Sequence, residues 1–450
     1  MSGWSIVHAV DLVVCAAQAS TLGAKIVLHG YALYVGGVAA VAMCTPRRSP
    51  SPVQGPRATA RTQPDDEPLR FAAVIIAHDE ERVIERPVLT LMGQAYRRDR
   101  YDVIVVADNC ADDTAERARL AGARVLERST GAAQGKSAAL RFALDWVAAQ
   151  NRYDAIAVFD ADNEVDPRFL ACVEERLRGG ERVVQGVIDA KNPDTSWVSA
   201  SSALGFWAIA AVAQAPRERA RLSAALMGTG WAARMELHRS SGLAPASLTD
   251  DMEIGALLAL RGVRVAYEPG ARVFDEKPTE LRSALGQRRR WMQGRWSIAR
   301  TFVPQLLKRA IAPGSDPPFD AASRLRALDV ALQLVAPSLL FTAVALMAIG
   351  GLELLLGTAG VGIEGGATGV IHGGTATILL GTAYYLAPAL ALRRFHPSTF
   401  TWACYLVQPF YLLFSAPLAL VGLVLTRRKQ WTHTAHTAEP ARSKSDARAA

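Results

Sequence analysis

Residues 71–160 alternate short apolar runs with stretches of helical character, and no other feature narrows the fold as far. Residues 71–77, 101–107, 124–126 and 155–159 read as strands, and residues 79–92, 113–121 and 137–149 as helices. This alternation predicts an α/β domain, a mostly parallel Rossmann-like sheet with helices on both faces. In such sheets ligands bind beyond the carboxyl ends of the strands. Polar residues gather at those ends here: His78-Asp79-Glu80, Asp108-Asn109 and Asp160-Ala161-Asp162.

Apolar stretches flank this middle. Residues 26–46 carry no charge, and about 20 apolar residues suffice to cross a bilayer core. Residues 330–352, 365–392 and 397–426 are also uncharged and long enough to span; residues 1–24, broken by Asp11, read as interfacial. Arg47 and Arg48 follow the first run, Arg393 and Arg394 separate the last two, and Arg427, Arg428 and Lys429 close the series. By the positive-inside rule the middle of the chain faces the cytoplasm. Three simple crossings after a cytoplasmic domain would leave the last basic cluster outside, so one late run does not cross simply. Pro409 and Pro417, expected to break a helix, single out the last. The reading divides the chain into membrane segments (1–46), a Pro/Arg-rich linker (47–69), the α/β domain (70–300), an interfacial segment (301–328), transmembrane helices (329–426) and a basic, disordered tail (427–450).

Composition supports this division. Half the chain is hydrophobic, which excludes a disordered protein, and five scattered cysteines in 450 residues exclude a disulfide scaffold. The net charge of +8 beside apolar runs marks a membrane-proximal surface and not a nucleic-acid partner.

Four motifs carry chemistry. Carboxylates two apart on an extended chain point the same way, so Asp160 and Asp162 suit a hard divalent cation or, failing that, a turn. Gly131 through Ser137 imitates a phosphate loop but has three residues where four are needed before Gly135-Lys136-Ser137; Lys136 then reads as a diphosphate or loop contact. Thr249-Asp250-Asp251 opens a helix, either as cap and first-turn acids or as a general base at a helix start. Gln287, Arg290 and Trp291 share one face of a helix expected to run to about residue 299. They suit a phosphate and a ring, or an interfacial helix with Trp291, Trp296 and Phe302 at headgroup level. The His433 and His436 pair lies in the tail and reads as no metal site.

In order the chain shows Ala77-His78-Asp79-Glu80-Glu81, Asp108-Asn109, Gly135-Lys136, Asp160-Ala161-Asp162, Gly228-Thr229-Gly230, Thr249-Asp250-Asp251 and Gln287 through Trp291. That ordered set resembles the membrane-bound family 2 glycosyltransferases, the group of the cellulose, chitin, hyaluronan and poly-N-acetylglucosamine synthases, over roughly residues 70–300. The resemblance implies a GT-A domain flanked by transmembrane helices, a nucleotide-diphosphate sugar donor (a UDP-sugar above all), Mg2+ or Mn2+, and inverting transfer to a polysaccharide or lipid-linked acceptor. It assigns Asp251 as general base. It places Glu80, Asp108, Lys136, Asp160, Gln287, Arg290 and Trp291 at the donor, and Gly228, Thr229, Gly230 and again Trp291 at the acceptor. Asp160 and Asp162 hold the metal, with Asp162 its direct ligand. Asp250 stands where the family has Glu and Asp79 where Asn is common, and the small number of late runs puts a long polymer channel in doubt. A membrane NTPase or nucleotide-gated transporter built on Gly135-Lys136-Ser137 is the competing reading.

Overall fold

A computed structural model describes residues 22–41, 67–130, 135–241, 245, 247, 249–312, 320–336, 339–358 and 366–424. Most of the first 24 residues, most of the linker with Arg47 and Arg48, Gly131, and the tail with its two histidines lie outside the described residues.

The centre is an eight-stranded sheet in the order β3-β2-β1-β4-β7-β6-β8-β5. Its strands are β1 (Phe71–Ala77), β2 (Tyr101–Asp108), β3 (Arg124–Arg128), β4 (Ala155–Asp160), β5 (Glu164–Val165), β6 (Val183–Ala190), β7 (Trp231–Arg234) and β8 (Val265–Asp275). The first four in spatial order pair in parallel, β7 runs antiparallel to β4 and β6, and β8 rejoins β6 in parallel. All seven residues of β1 are buried, as expected for a strand covered on both faces.

Helices α1 (Leu22–Val41), α2 (Glu85–Met92), α3 (Thr114–Leu120), α4 (Lys136–Ala149) and α5 (Phe169–Arg178) come first in the chain. On one sheet face Leu140, Leu144 and Val147 of α4 join Val74, Ile104 and Val158 in one cluster. On the other, Val88 and Leu91 of α2 and Phe169 and Leu170 of α5 join Phe71, Ile75 and Val105. The predicted helix over residues 79–92 begins only at Glu85, because residues 79–84 form a turn. There Glu80 O accepts the Val83 and Ile84 amides, and Asp79 takes a left-handed φ of 53°.

Next come α6 (Trp197–Ala208), a π-helical turn (Ile209–Gln214), α7 (Ala215–Arg219), α8 (Met235–Ser241) and α9 (Asp250–Leu260). The last five helices are α10 (Leu281–Ile311), α11 (Ala321–Val335), α12 (Leu339–Thr358), α13 (Gly366–Leu392) and α14 (Thr399–Val424).

Three readings are corrected here. First, α10 continues past residue 299 to Ile311 with Pro304 inside it, because Phe302, Leu306 and Ala310 bury against Ala327, Val330 and Leu334 of α11. Second, the uncharged run 330–352 is two helices. Pro337 disfavours the helical conformation for the residue before it, and Ala336 is extended at ψ 141°. Third, α14 runs unbroken through Pro409 and Pro417. Each ring removes one backbone bond, but docking holds the helix. Gln408 Nε2 donates to Ser201 O at 3.0 Å, Tyr411 and Ser202 share a hydroxyl bond of 2.6 Å, and Thr401 Oγ1 donates to Asp194 at 2.6 Å.

Among the described residues, two helical stretches are long and apolar enough to cross a membrane, Leu22–Val41 and Trp197–Arg219; Phe341–Leu355 is a shorter apolar helix. The second is largely buried inside the protein, and α6 closes on the core with a Ser196–Ser199 capping box. Helices α12 and α13 cross at backbone distance: a Cβ on Gly350 would lie 2.6 Å from Gly374 O, and one on Gly381 2.8 Å from Ala343 O.

Candidate active site

A cavity of about 910 Å³ opens at the carboxyl ends of β1, β2 and β4. Its walls include Glu80, Asp108, Lys136, Asp160, Asp162, Gly228, Thr229, Asp251, Gln287, Arg290 and Trp291. Gly230 is not among the lining residues. It carries the loop instead, at φ +63° with Val273 2.7 Å from where a Cβ would stand.

The loop is held from below. Gln185 is fully buried; its Nε2 donates to Thr229 O at 2.9 Å and Gly230 O at 3.2 Å, and its Oε1 accepts from the Met227 amide at 3.0 Å. Thr229 Oγ1 donates to Asn163 and accepts from the Asp160 amide at 3.1 Å, which ties the loop to the acid pair. A lone buried Gln in a strand gave no sequence signal, and only the shared loop reveals its part.

Lys136 opens α4 directly after Gly135, whose φ is 77°. Its ammonium pairs with Asp160 and donates to Gly228 O at 2.9 Å. Burial pulls this lysine down, but Asp160, Asp250 and Asp251 outweigh it and hold its pKa above the ordinary range. Ser137 donates to Ser247 O. Among the described residues of the phosphate-loop look-alike, Lys136 and Ser137 are thus engaged with the protein itself.

The acids sit close to one another. Burial raises Asp160, with Lys136 opposing and Asp162 and Asp250 adding to the rise. Burial likewise pushes Asp275 up to about 7, against Lys277 and with help from Asp162 and Asp160. Asp162 accepts from Asn163 Nδ2 at 3.1 Å and from the Glu276 amide at 3.4 Å. Asp275 is the last residue of β8 and Lys277 lies two residues beyond it; neither was read from the sequence, because Pro269 and Gly270 interrupt that strand's pattern. Lys277 is 2% exposed, bonds Asp275 at 2.8 Å and lies 3.3 Å over the Phe206 ring. Phe206 meets Trp291 edge-on at 6.0 Å, completing that wall.

Asp251 stands at the start of α9. Burial pushes its carboxyl up to about 7, with Asp250 adding and the Met252 amide, donating at 2.8 Å, opposing. A Cβ on Gly228 would lie 3.7 Å from Asp251 Oδ2 and 3.8 Å from Lys136 Nζ, so the loop passes beside both groups, and its φ of +84° there favours glycine. The expected Thr249 cap is absent: its side chain accepts no amide, and it is pressed against Gly294 of α10, where a Cβ would lie 2.3 Å from Thr249 Cγ2. A carboxyl titrating near neutrality at a helix start suits proton abstraction better than capping.

The helix α10 brings Gln287, Arg290 and Trp291 into the cavity, and Arg295 as well. Burial lowers both Arg290 and Arg295, so an anion arriving there would restore favourable interactions. Trp291 and Trp296 line the cavity and Phe302 is buried, so the headgroup-level reading of these three aromatics does not hold.

At the first strand ends, Asp108 pairs with Arg128 and accepts from Asn109 Nδ2 at 2.9 Å, while its carbonyl meets His78 Nδ1 at 2.6 Å. The Glu80 amide donates to Thr114 Oγ1 at 2.8 Å. Asp79, Cys110 and Asp112 cluster nearby, but two of them act as turn acceptors: Asp79 takes the Ala111 amide at 2.7 Å and Asp112 the Glu81 amide at 3.0 Å.

Comparison with known proteins fits this geometry. The family model described as "Glycosyltransferase like family 2" matches residues 68–294. A probable glycosyltransferase YdaM of Bacillus subtilis is 26% identical over 252 residues, 53% of this chain and 58% of the relative. A beta-monoglucosyldiacylglycerol synthase of Synechocystis is 29% identical over 235 residues, 49% of this chain and 47% of the relative. The chain thus spans about half the length of the curated relatives it matches. The structure of mannosyltransferase PcManGT from Pyrobaculum calidifontis, in complex with GDP-Man and Mn2+, superposes with a TM-score of 0.51 at 16% identity over 92% of this chain and 98% of that one. The shared architecture is a GT-A-like mixed sheet with helices.

Proposed function

Because the chain belongs to the glycosyltransferase-like family 2 and is a glycosyltransferase, we propose that it moves a sugar, with inversion, from a UDP-sugar to a polysaccharide or lipid-linked acceptor at a membrane. One observation carries the reading: Asp251 faces Gly228 and Lys136 in the same cavity as the Asp160 and Asp162 pair.

In this reading Asp108 and Glu80 hold the nucleoside, and Lys136, Gln287 and Arg290 contact the diphosphate. Trp291 and the Gly228-Thr229-Gly230 loop border the acceptor. Asp251 takes the proton from the attacking hydroxyl as the bond from sugar to diphosphate breaks on the opposite face. Arg290 and Lys136 stabilise the charge that develops on the departing diphosphate.

The donor set fits Mg2+ or Mn2+. Asp160, Asp162 and Asp275 crowd together, and burial with mutual repulsion lifts Asp160 and Asp275, a strain that a divalent cation would relieve. Bound there it would supply Lewis-acid neutralisation of the leaving diphosphate. PcManGT, solved with Mn2+ and GDP-Man, supports by analogy of fold a divalent metal and a nucleotide-diphosphate sugar, but not uridine over guanosine as the base.

Membrane attachment is part of the proposal. Leu22, Ile26, Val27, Leu33 and Val41 of α1 are exposed, as are Leu325, Leu328, Leu332 and Val335 along one stripe of α11. Apolar faces of this extent mark contact with another phase or partner. In this reading α1, α12 and α13 cross the bilayer, α11 lies in its interface and the catalytic domain faces the cytoplasm. The polar anchoring of α14 to α6 makes α14 the late run that does not cross simply. The Synechocystis relative, named for a glucosyldiacylglycerol product, favours a lipid acceptor. No nucleic-acid partner is proposed.

The test is nucleoside diphosphate release by the purified full chain from a panel of nucleotide sugars with Mn2+. Release from at least one sugar nucleotide is expected. Release from none, with ATP hydrolysed instead, would reinstate the NTPase reading.

A further inference from the structure

The motif on α10 holds three consecutive arginines, and their environments differ. Arg289 is exposed, while Arg288 and Arg290 both line the cavity. A helix turns by about 100° per residue, so Arg288 and Arg290 stand on opposite sides of Trp291. The Arg288 side opens into a small recess bordered by Ser202, Phe206, Asp275, Lys277, Gln287 and Trp291, and Arg290 is not among its walls. Arg288 is therefore the guanidinium on the side of the crowded acids.

The last helix holds it there. Arg288 Nε donates to Tyr411 Oη of α14 at 3.3 Å, and the guanidinium carbon lies 4.6 Å from the centre of the Tyr411 ring. Tyr411 is fully buried; its hydroxyl bonds Ser202 Oγ of α6 at 2.6 Å, and Trp197 meets its ring edge-on at 6.1 Å. All of these partners are neutral. Among the described residues no carboxylate lies within ion-pair distance of Arg288, so its charge is oriented but not neutralised. The ring and the hydroxyl fix a side chain that is otherwise rich in rotamers, and they leave its terminal nitrogens to donate. A fork of N–H groups held in this way matches the oxygens of a phosphate.

We propose that Arg288 is a further donor-binding residue, giving its terminal N–H groups to the phosphate that carries the sugar, and that Tyr411 is the positioning residue that aims it. The inference rests on the glycosyltransferase reading above, which places the nucleoside at Asp108 and Glu80. Those residues stand at the β1 and β2 end of the cavity, and the recess stands at the β8 end, across the sheet. The phosphate within reach of Arg288 is then the one farther from the nucleoside. In this arrangement α14 is part of the donor site as well as a helix docked on α6.

The experiment titrates the full chain, in detergent micelles with Mn2+, by calorimetry with UDP and GDP, each against its monophosphate. Wild type should prefer the diphosphate of at least one base. Arg288→Ala should shrink that preference about tenfold or more while leaving the monophosphate affinity in place. Tyr411→Phe, which keeps the ring and removes the hydroxyl, should shrink it about threefold or more, and the double variant should be no worse than Arg288→Ala alone. An unchanged preference in Arg288→Ala overturns the proposal. Single effects that add in the double variant, or a preference kept in Tyr411→Phe, remove Tyr411 as the positioning residue. A purely structural role predicts a lower melting temperature with mono- and diphosphate affinities reduced alike, and that result also overturns the proposal. Should Tyr411→Phe fail to fold, Ser202→Ala removes the hydroxyl's other partner and should shrink the preference in the same direction; no change there contradicts the positioning role. A wild type that binds neither diphosphate sinks the glycosyltransferase reading instead.

Discussion

The sheet domain and the helices around it bury apolar residues in opposite ways. In β1, β2 and β4 nearly every side chain is inside, and β2 and β4 end on the acids Asp108 and Asp160, which line the cleft. In α1, α11 and α14 large apolar side chains face outward, among them Leu33, Leu332 and Phe410, while polar ones such as Asp329 and Gln408 are buried. The first region is organised to exclude water and present charge at one edge; the second is organised for an apolar exterior. The cavity is lined from both regions.

The largest expected effect lies on the charged side. Asp162→Ala should reduce divalent-dependent transfer to background while leaving the thermal transition in place; normal activity with normal metal dependence would remove Asp162 from the metal set. Lys136→Ala should raise the donor KM about 10–100-fold, the equivalent of losing a charge-assisted bond worth about 1.5–3 kcal/mol. If it instead abolishes turnover while an Asp251 variant is silent, the phosphate-loop reading gains. The comparison between regions is sharpened by matched truncations. Ile104→Ala, in the sealed sheet, should cost about 2–5 kcal/mol by denaturant titration. Leu328→Ala, on the outward stripe of α11, should change stability in detergent by no more than about 0.5 kcal/mol yet weaken binding to lipid vesicles. Equal costs at both sites would mean that the stripe is packed and not lipid-facing.

The same contrast explains what the sequence could reveal. Strands β1, β2 and β4 were legible to within a residue because short apolar runs stop at charged residues. Nothing beyond residue 160 was read as a strand. Gln185 and Gly186 interrupt β6, and between Gln185 and Val187 the register on β8 jumps from Tyr267 to Arg272. Gly186 is needed there, since a Cβ would lie 2.5 Å from Ala271 O. Asp275 and Lys277 were missed with that strand. The prolines of α14 misled for a related reason: tertiary contacts from α6 and α10 fix that helix, and no local pattern announces them. The candidate acids and the α10 motif were found because their order along the chain resembles a known family; spacing alone left each of them ambiguous.

The account turns on Asp251 as the base. Burial and Asp250 raise its carboxyl to about 7, so below that pH it is protonated and cannot accept a proton. Turnover should therefore rise with pH through about 7. Stability has the opposite sign, because the folded state holds a proton that the unfolded state releases from about pH 4 upward, and this group's contribution falls as pH rises through that window. Asp251→Asn should accordingly melt higher than wild type at pH 8, and by less at pH 5. The decisive measurement is single-turnover transfer at saturating donor, with donor affinity measured by calorimetry, for wild type and Asp251→Asn. The account predicts donor binding within a few-fold, a rate lower by about 10²–10⁴, and loss of the pH dependence near 7. An Asp251→Asn enzyme that transfers at the wild-type rate, with the wild-type pH profile, would contradict it.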